Sequence, residues 1–100
     1  MAESQFVQVW KAKVPEANVD ALLAVRSEAI AEAKRLCPEL VRAELVRAAD
    51  GTWLDVLTWT AADGEERLMA RADEFDALHR MHGLLEDAEQ VGRGEVAVSA

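Results

Sequence analysis

From Phe6 to Val14 the chain is rich in residues that favour extended structure and has no Gly or Pro, which predicts a first strand. Phe6, Trp10, Ala12 and Val14 fall on one side of it, Val7 and Val9 on the other. Pro15 ends it, and Asn18 offers a side-chain cap to the next element. Val19, Leu22, Leu23, Ile30, Ala33, Leu36 and Cys37 then recur at helical spacing, with Arg26, Glu28, Glu32 and Arg35 at other positions. Pro38 stops this long amphipathic helix, because its ring disfavours the α conformation in the residue before it. Leu40 to Ala48 reads as a second strand, Asp50-Gly51 as a tight turn, and Trp53 to Thr60 as a third strand antiparallel to the second. Asp63-Gly64 breaks the pattern. The spacing of Leu68, Ala72, Phe75 and Leu78 is helical again from Glu65 to about Leu85, with Gly83 as a bend or end. Gly92 and Gly94 predict a turn before a short last strand, Val96-Ala97-Val98.

The predicted order is strand, helix, strand, strand, helix, strand. Two helices on one face of a four-stranded antiparallel sheet give a ferredoxin-like α+β domain. Water should then meet a polar second face. Here that face is apolar as well: the third strand puts Trp53, Leu57 and Trp59 on one side and Leu54 and Val56 on the other. A twofold partner packed sheet against sheet would bury the surplus, so a homodimer is expected, two domains forming a dimeric α+β barrel. The rival is a monomer whose second face is made polar enough by Lys11, Lys13, Arg47 and Thr58.

A length of 100 residues predicts one domain over 1–100. Acidic residues outnumber basic ones 19 to 11, for a formal charge of -8. Such a surface repels nucleic acid and anionic membranes, so neither partner is expected. No apolar run reaches the roughly 20 residues of a membrane span. Cys37 is the single cysteine, and Met1 to Gln5 lacks a secretory pattern; both favour a cytoplasmic setting.

The segment GTWLDVLTWTAADGEERLMA, together with Pro38-Glu39-Leu40 and Leu84-Leu85, resembles the antibiotic biosynthesis monooxygenase-like family of dimeric α+β barrels. The likeness covers nearly the whole chain. In that family a third strand of the form W-x-D-V-x-x-W ends in a Trp, here Trp59. The resemblance implies a cofactor-independent monooxygenase that oxidises an aromatic, polyketide-like molecule with O₂ in a pocket between sheet and helices. Asp55 stands where the family places an Asn, four residues before that Trp. Haem-degrading relatives use an Asn on the first strand and an axial His; Gln8 replaces the Asn, and His79 lies beyond the matching position.

Asp55, Leu57 and Trp59 share strand parity and so one face. A carboxylate among apolar neighbours suits proton abstraction from a phenol; the other reading is an ion pair with an arginine such as Arg42 or Arg71. Trp59 suits stacking on a ring, or core packing. His79 and His82 are three apart on one helical face, so either can serve as acid or base, and His79 is expected to orient an oxyanion. The expected catalytic set is therefore Asp55, His79 and Trp59, with Trp10, Leu57, Phe75 and His82 binding substrate. Two histidines without a third ligand do not make a metal site, and no cofactor is expected. Cys37, at a helix C-terminus, reads as a small buried hydrophobe. Glu65-Glu66 reads as an acidic first helical turn, and Arg67, Arg71 and Arg80 as solvated side chains or a pocket mouth for an anion. The alternatives to the oxygenase are a non-catalytic ligand-binding or interaction module of the same fold and, third, a haem-binding protein.

Overall fold

A computed structural model describes residues 4–99. Four strands, β1 (Phe6–Lys13), β2 (Leu40–Arg47), β3 (Trp53–Trp59) and β4 (Glu86–Glu95), form one antiparallel sheet in the order β2-β3-β1-β4. Helices α1 (Val19–Leu36), α2 (Gly64–Ala70) and α3 (Ala77–His82) pack against it, in an α+β, ferredoxin-like arrangement. Both β1 and β2 are antiparallel to β3, so they run parallel to each other and α1 is the crossover between them. The first three strands and α1 end within one residue of the sequence expectation.

Register fixes which side chains meet. Phe6 pairs with Trp59, Gln8 with Leu57, Trp10 with Asp55 and Ala12 with Trp53, so all eight share the helix-side face. Leu45 joins them opposite Asp55. Leu22, Val25, Ala29 and Ala33 of α1, with Leu68, Phe75, Ala77, Leu78 and Met81, close the core above Trp53 and Trp59. Cys37 is buried there, and burial with the nearby Glu39 carboxylate pushes its thiol pKa up, so it is a packed hydrophobe.

Four local expectations are corrected. Asn18 makes no side-chain cap to α1; its Nδ2 donates to the Leu84 carbonyl at 3.2 Å and ties the start of α1 to the end of the α3 segment. The single second helix is two helices joined by a 3₁₀ turn at Ala72–Glu74. Phe75 leaves the helical path in an extended conformation to bury its ring, and the helical spacing survives because Phe75 and Leu78 still point inward. Gly92 and Gly94 do not make a turn. They lie inside β4, opposite Val9 and Val7, and Val96–Val98 is not a strand. Every side chain of β4 is exposed, so the strand is held by backbone pairing to β1 and carries no alternation to read. Finally, Arg47 is not on the second face: it pairs with Trp53 on the helix side, its guanidinium carbon 5.1 Å from the Trp53 ring centre.

Val7, Val9, Leu54 and Val56 on the second face are half-buried, and Val46 is 41% exposed. Thr58, also on that face, is buried. No helix among the described residues is long and apolar enough to cross a membrane.

Candidate functional site

A cavity of about 370 Å³ lies between the sheet and the helices. Its floor is the helix-side face of the sheet: Trp10, Trp53, Asp55, Leu57 and Trp59. Leu22, Arg26 and Ile30 of α1 roof it, four residues apart and so on one stripe of the helix. Met81 and His82 of α3 and Glu65, Leu68 and Met69 of α2 complete the wall. Met69, His82 and Ala88 are exposed and mark where it meets solvent. A close-packed interior leaves few voids larger than a water molecule, so a space of this size, lined almost wholly by apolar groups, is a ligand-sized feature.

The polar atoms in it are few and arranged. Asp55 is held end-on by Arg26: Nη1 donates to Oδ2 at 2.6 Å and Nη2 to Oδ1 at 2.7 Å. The two side chains are 12% and 20% exposed, so this is a largely desolvated, charge-assisted pair. Nη1 also approaches the Met81 sulfur at 3.7 Å. An end-on fork leaves the Nε–H and one Nη2–H of Arg26 unused among the described residues. His82 keeps more than a third of its surface, yet the apolar wall removes enough water to lower its pKa below the usual imidazole value. Burial is the largest cause, the neighbouring His79 adds to it, the Asp55 carboxylate opposes it, and Arg26 reinforces it. The ring is therefore neutral near pH 7.

Trp59 is 1% exposed, and its orientation is set from two sides. Its Nε1–H donates to Gln8 Oε1 at 2.9 Å, and Gln8 Nε2 donates to Gln90 Oε1 at 2.9 Å, a relay crossing β3, β1 and β4. Gln8 itself is buried, so its amide is spent on holding the indole. On the other side the α2 backbone lies against the indole at Gly64, where any Cβ would overlap the ring.

The structure thus brings Asp55, Trp59, Trp10, Leu57 and His82 to one cavity. It does not bring His79 or Phe75 there. His79 is exposed outside the cavity, its Nε2 2.8 Å from the Ala72 carbonyl, so neither an oxyanion in this cavity nor an axial ligand to a haem in it is within its placement. Phe75 is core beneath the break between α2 and α3. The Asp55 ion pair is with Arg26, in place of Arg42 or Arg71. Arg67, Arg71 and Arg80 are exposed and paired with Asp63, Glu74 and Asp76. Sequence reasoning missed Arg26 and Gln8. The signal for Arg26 was its place midway between Leu22 and Ile30, on the stripe that faces the core. For Gln8 it was parity with Trp10 on a strand whose helix side is otherwise apolar. Among the described residues no three His, Cys, Asp or Glu side chains converge as a metal site.

Fold and cavity together define a ferredoxin-like α+β protein with a ligand-sized apolar chamber between its layers. Solved structures place it more narrowly, with the antibiotic biosynthesis monooxygenase-like fold that its third strand resembles. A variant of SnoaB, a cofactor-independent oxygenase from Streptomyces nogalater, is similar over 99% of this chain and 96% of its own, at 21% identity and TM-score 0.67. A candidate antibiotic biosynthesis monooxygenase from Bordetella bronchiseptica is similar over 95% and 99%, at 12% identity and TM-score 0.80. A dimeric ferredoxin-like protein from an uncultured marine organism is similar over 98% and 92%, at 16% identity and TM-score 0.71. No protein-family model and no curated protein matches the sequence.

Proposed function

We propose that the protein is a homodimeric, cofactor-independent monooxygenase acting on a fused-ring phenol or anthrone. The observation that carries this reading is the cluster of Arg26, Asp55 and neutral His82, set into a chamber of about 370 Å³ whose lining is apolar apart from these and Glu65. A flat hydrophobic molecule suits the chamber, with the half-buried Trp10 as an aromatic wall for its rings. His82, neutral and at the mouth, takes the acidic proton. The free N–H groups of Arg26 receive the oxygen on which charge then develops, inside a site where such bonds are strong. Asp55 is a positioning residue: with both oxygens on Arg26 it aims the guanidinium and balances its charge. The electron-rich ring carbon reduces O₂ and forms a C–O bond. The resulting hydroperoxide loses water to leave a ketone, so anthrone plus O₂ gives anthraquinone plus H₂O. All the electrons come from the substrate.

The test is oxygen uptake and anthraquinone formation with anthrone. Protein should accelerate both over buffer, and His82→Ala should reduce the rate at least about 100-fold, the lower bound for losing a positioned base. Arg26→Met should fall comparably. Rates equal to buffer for the wild-type protein sink the oxygenase. A second reading, a ligand-binding module without turnover, is favoured by one observation: Asp55, the candidate base at the chamber floor, is already fully engaged by Arg26. It predicts saturable quenching of tryptophan fluorescence by anthraquinones with no oxygen uptake.

A further inference from the structure

Two helices wall the mouth of the chamber, and they are held unequally. α3 is fixed: Ala77, Leu78 and Met81 are buried, and the amides of Asp76, Ala77 and Leu78 are bonded to the Glu32 carboxylate of α1. α2 is held lightly. Of its residues only Gly64 and Leu68 are buried, and Asp63 gives it no side-chain cap. Among the described residues no backbone hydrogen bond ties it to another element. A helix this short gains little from its own hydrogen bonds, so its place depends on the side chains that grip it.

Those side chains act on two edges. On the side of β2, the Thr60 N–H donates to the Glu39 carbonyl at 2.8 Å, and Arg67 Nη1 donates to Glu39 Oε1 at 3.2 Å. On the side of β4, Arg93 is the only hydrogen-bonding tie among the described residues: Nη1 donates to Glu66 Oε1 at 3.2 Å and Nη2 to the Ala62 carbonyl at 3.1 Å. Glu66 lies three residues before Met69, on the same stripe of the helix, so Arg93 grips the edge that carries the exposed Met69 of the cavity mouth. Behind that edge is open space. A second cavity of about 220 Å³ lies between Phe6, Gln8, Trp59 and Arg93, and it adjoins the chamber at Glu65, which lines both. The Arg93 and Glu66 side chains are 45% and 57% exposed, so water and salt screen the pair and it holds weakly.

We infer that α2 is a lid, hinged on Glu39 and latched by Arg93, and that the ligand enters and leaves the chamber beneath its Met69 edge. This rests on the proposed ligand chamber and adds the route into it. Neither Arg93 nor Glu66 lines the chamber, so the latch holds the empty and the filled protein closed to the same degree. Releasing it should speed entry and exit by one factor and leave affinity unchanged.

Stopped-flow quenching of tryptophan fluorescence by anthraquinone, which is uncharged, reads both rates. Arg93→Gln should raise association and dissociation alike, by about threefold to fivefold, with Kd within about twofold of wild type, as expected for one exposed ion pair remote from the ligand. Glu66→Ala should act in the same direction but less, because Arg93 keeps the Ala62 carbonyl. The double variant should be no faster than Arg93→Gln, because both changes act through one contact. Raising NaCl from about 0.05 M to about 1 M should narrow the gap between wild type and Arg93→Gln. Equal rates in wild type and Arg93→Gln, or a rise in dissociation alone that weakens affinity, overturn the lid and leave the ligand chamber standing. Failure of the wild-type protein to bind anthraquinone overturns the ligand chamber, and this inference with it.

Discussion

His82 and Asp55 show how neighbours set the behaviour of a titratable group. In His82 burial, His79 and Arg26 all disfavour the imidazolium, and only Asp55 favours it. Asp55 cannot do more because its charge already serves Arg26 at 2.6 and 2.7 Å. The folded pKa therefore lies below the unfolded one. As pH falls through the unfolded value of about 6.5, the unfolded chain takes up a proton that the folded chain refuses, and stability drops until the folded pKa is passed. Thermal denaturation of wild type and His82→Gln between about pH 7.5 and 5 checks this. Wild type should lose more Tm on acidification than the variant; parallel curves would show that the ring is not desolvated. At this scale the sequence was only partly legible. Parity placed Asp55, Leu57 and Trp59 together correctly, because a strand has a fixed period of two. Helical spacing put His79 in the catalytic set, whereas it is His82 that reaches the cavity, because three residues of a short helix separate the cavity mouth from open solvent.

The break between α2 and α3 is a lesson about elements. α3 has six residues and no cap from its own Asp76. Its first amides are served from α1: Glu32 Oε2 accepts from Asp76 N–H at 3.2 Å and Ala77 N–H at 3.3 Å, and Oε1 accepts from Leu78 N–H at 3.2 Å. Such a cap, supplied from 44 residues away, leaves no local sequence signature. That is why the spacing alone predicted one continuous helix, whereas the first three strands and α1, whose determinants are local, were legible to within a residue. Burial would raise the Glu32 pKa, but these backbone bonds, with Arg35 nearby, outweigh it and hold the carboxyl below its ordinary value. The stabilisation is thus present above the unfolded carboxyl pKa and is lost as pH falls through the folded one. Glu32→Ala should cost about 1–2 kcal/mol near neutral pH, the range of a helix N-cap. Hydrogen exchange should show the loss concentrated in the amides of residues 76–78. Uniform loss of protection across the molecule would point instead to a general packing defect.

At the scale of the whole molecule, the sheet presents apolar side chains on both faces while the helices cover one. The chain alone leaves Val7, Val9, Leu54 and Val56 half-buried and all of β4 exposed, with Gly92 and Gly94 beside the two valines of β1. Side chains are missing where a second sheet would have to approach, and β-branched residues surround the gap. An interface of standard size, about 800 Å² per subunit, would take this apolar face out of water, and that burial is the drive set against the entropic cost of association. Sedimentation should therefore give a particle of about twice 11.0 kDa. Val9 and Val56 are direct cross-strand partners, so Val9→Lys with Val56→Glu replaces an apolar pair by a complementary ion pair within one sheet. The single chain tolerates that exchange on a face open to water. A dimer does not, because both charges would be driven out of solvent at the interface. The double variant should then sediment at 11.0 kDa while keeping its far-ultraviolet circular dichroism, and its Tm should be independent of concentration where that of the wild-type dimer should rise with it. A wild-type protein that sediments as a single chain at micromolar concentration would mean that the second face is tolerated in water, and the two-layer barrel would have to be abandoned.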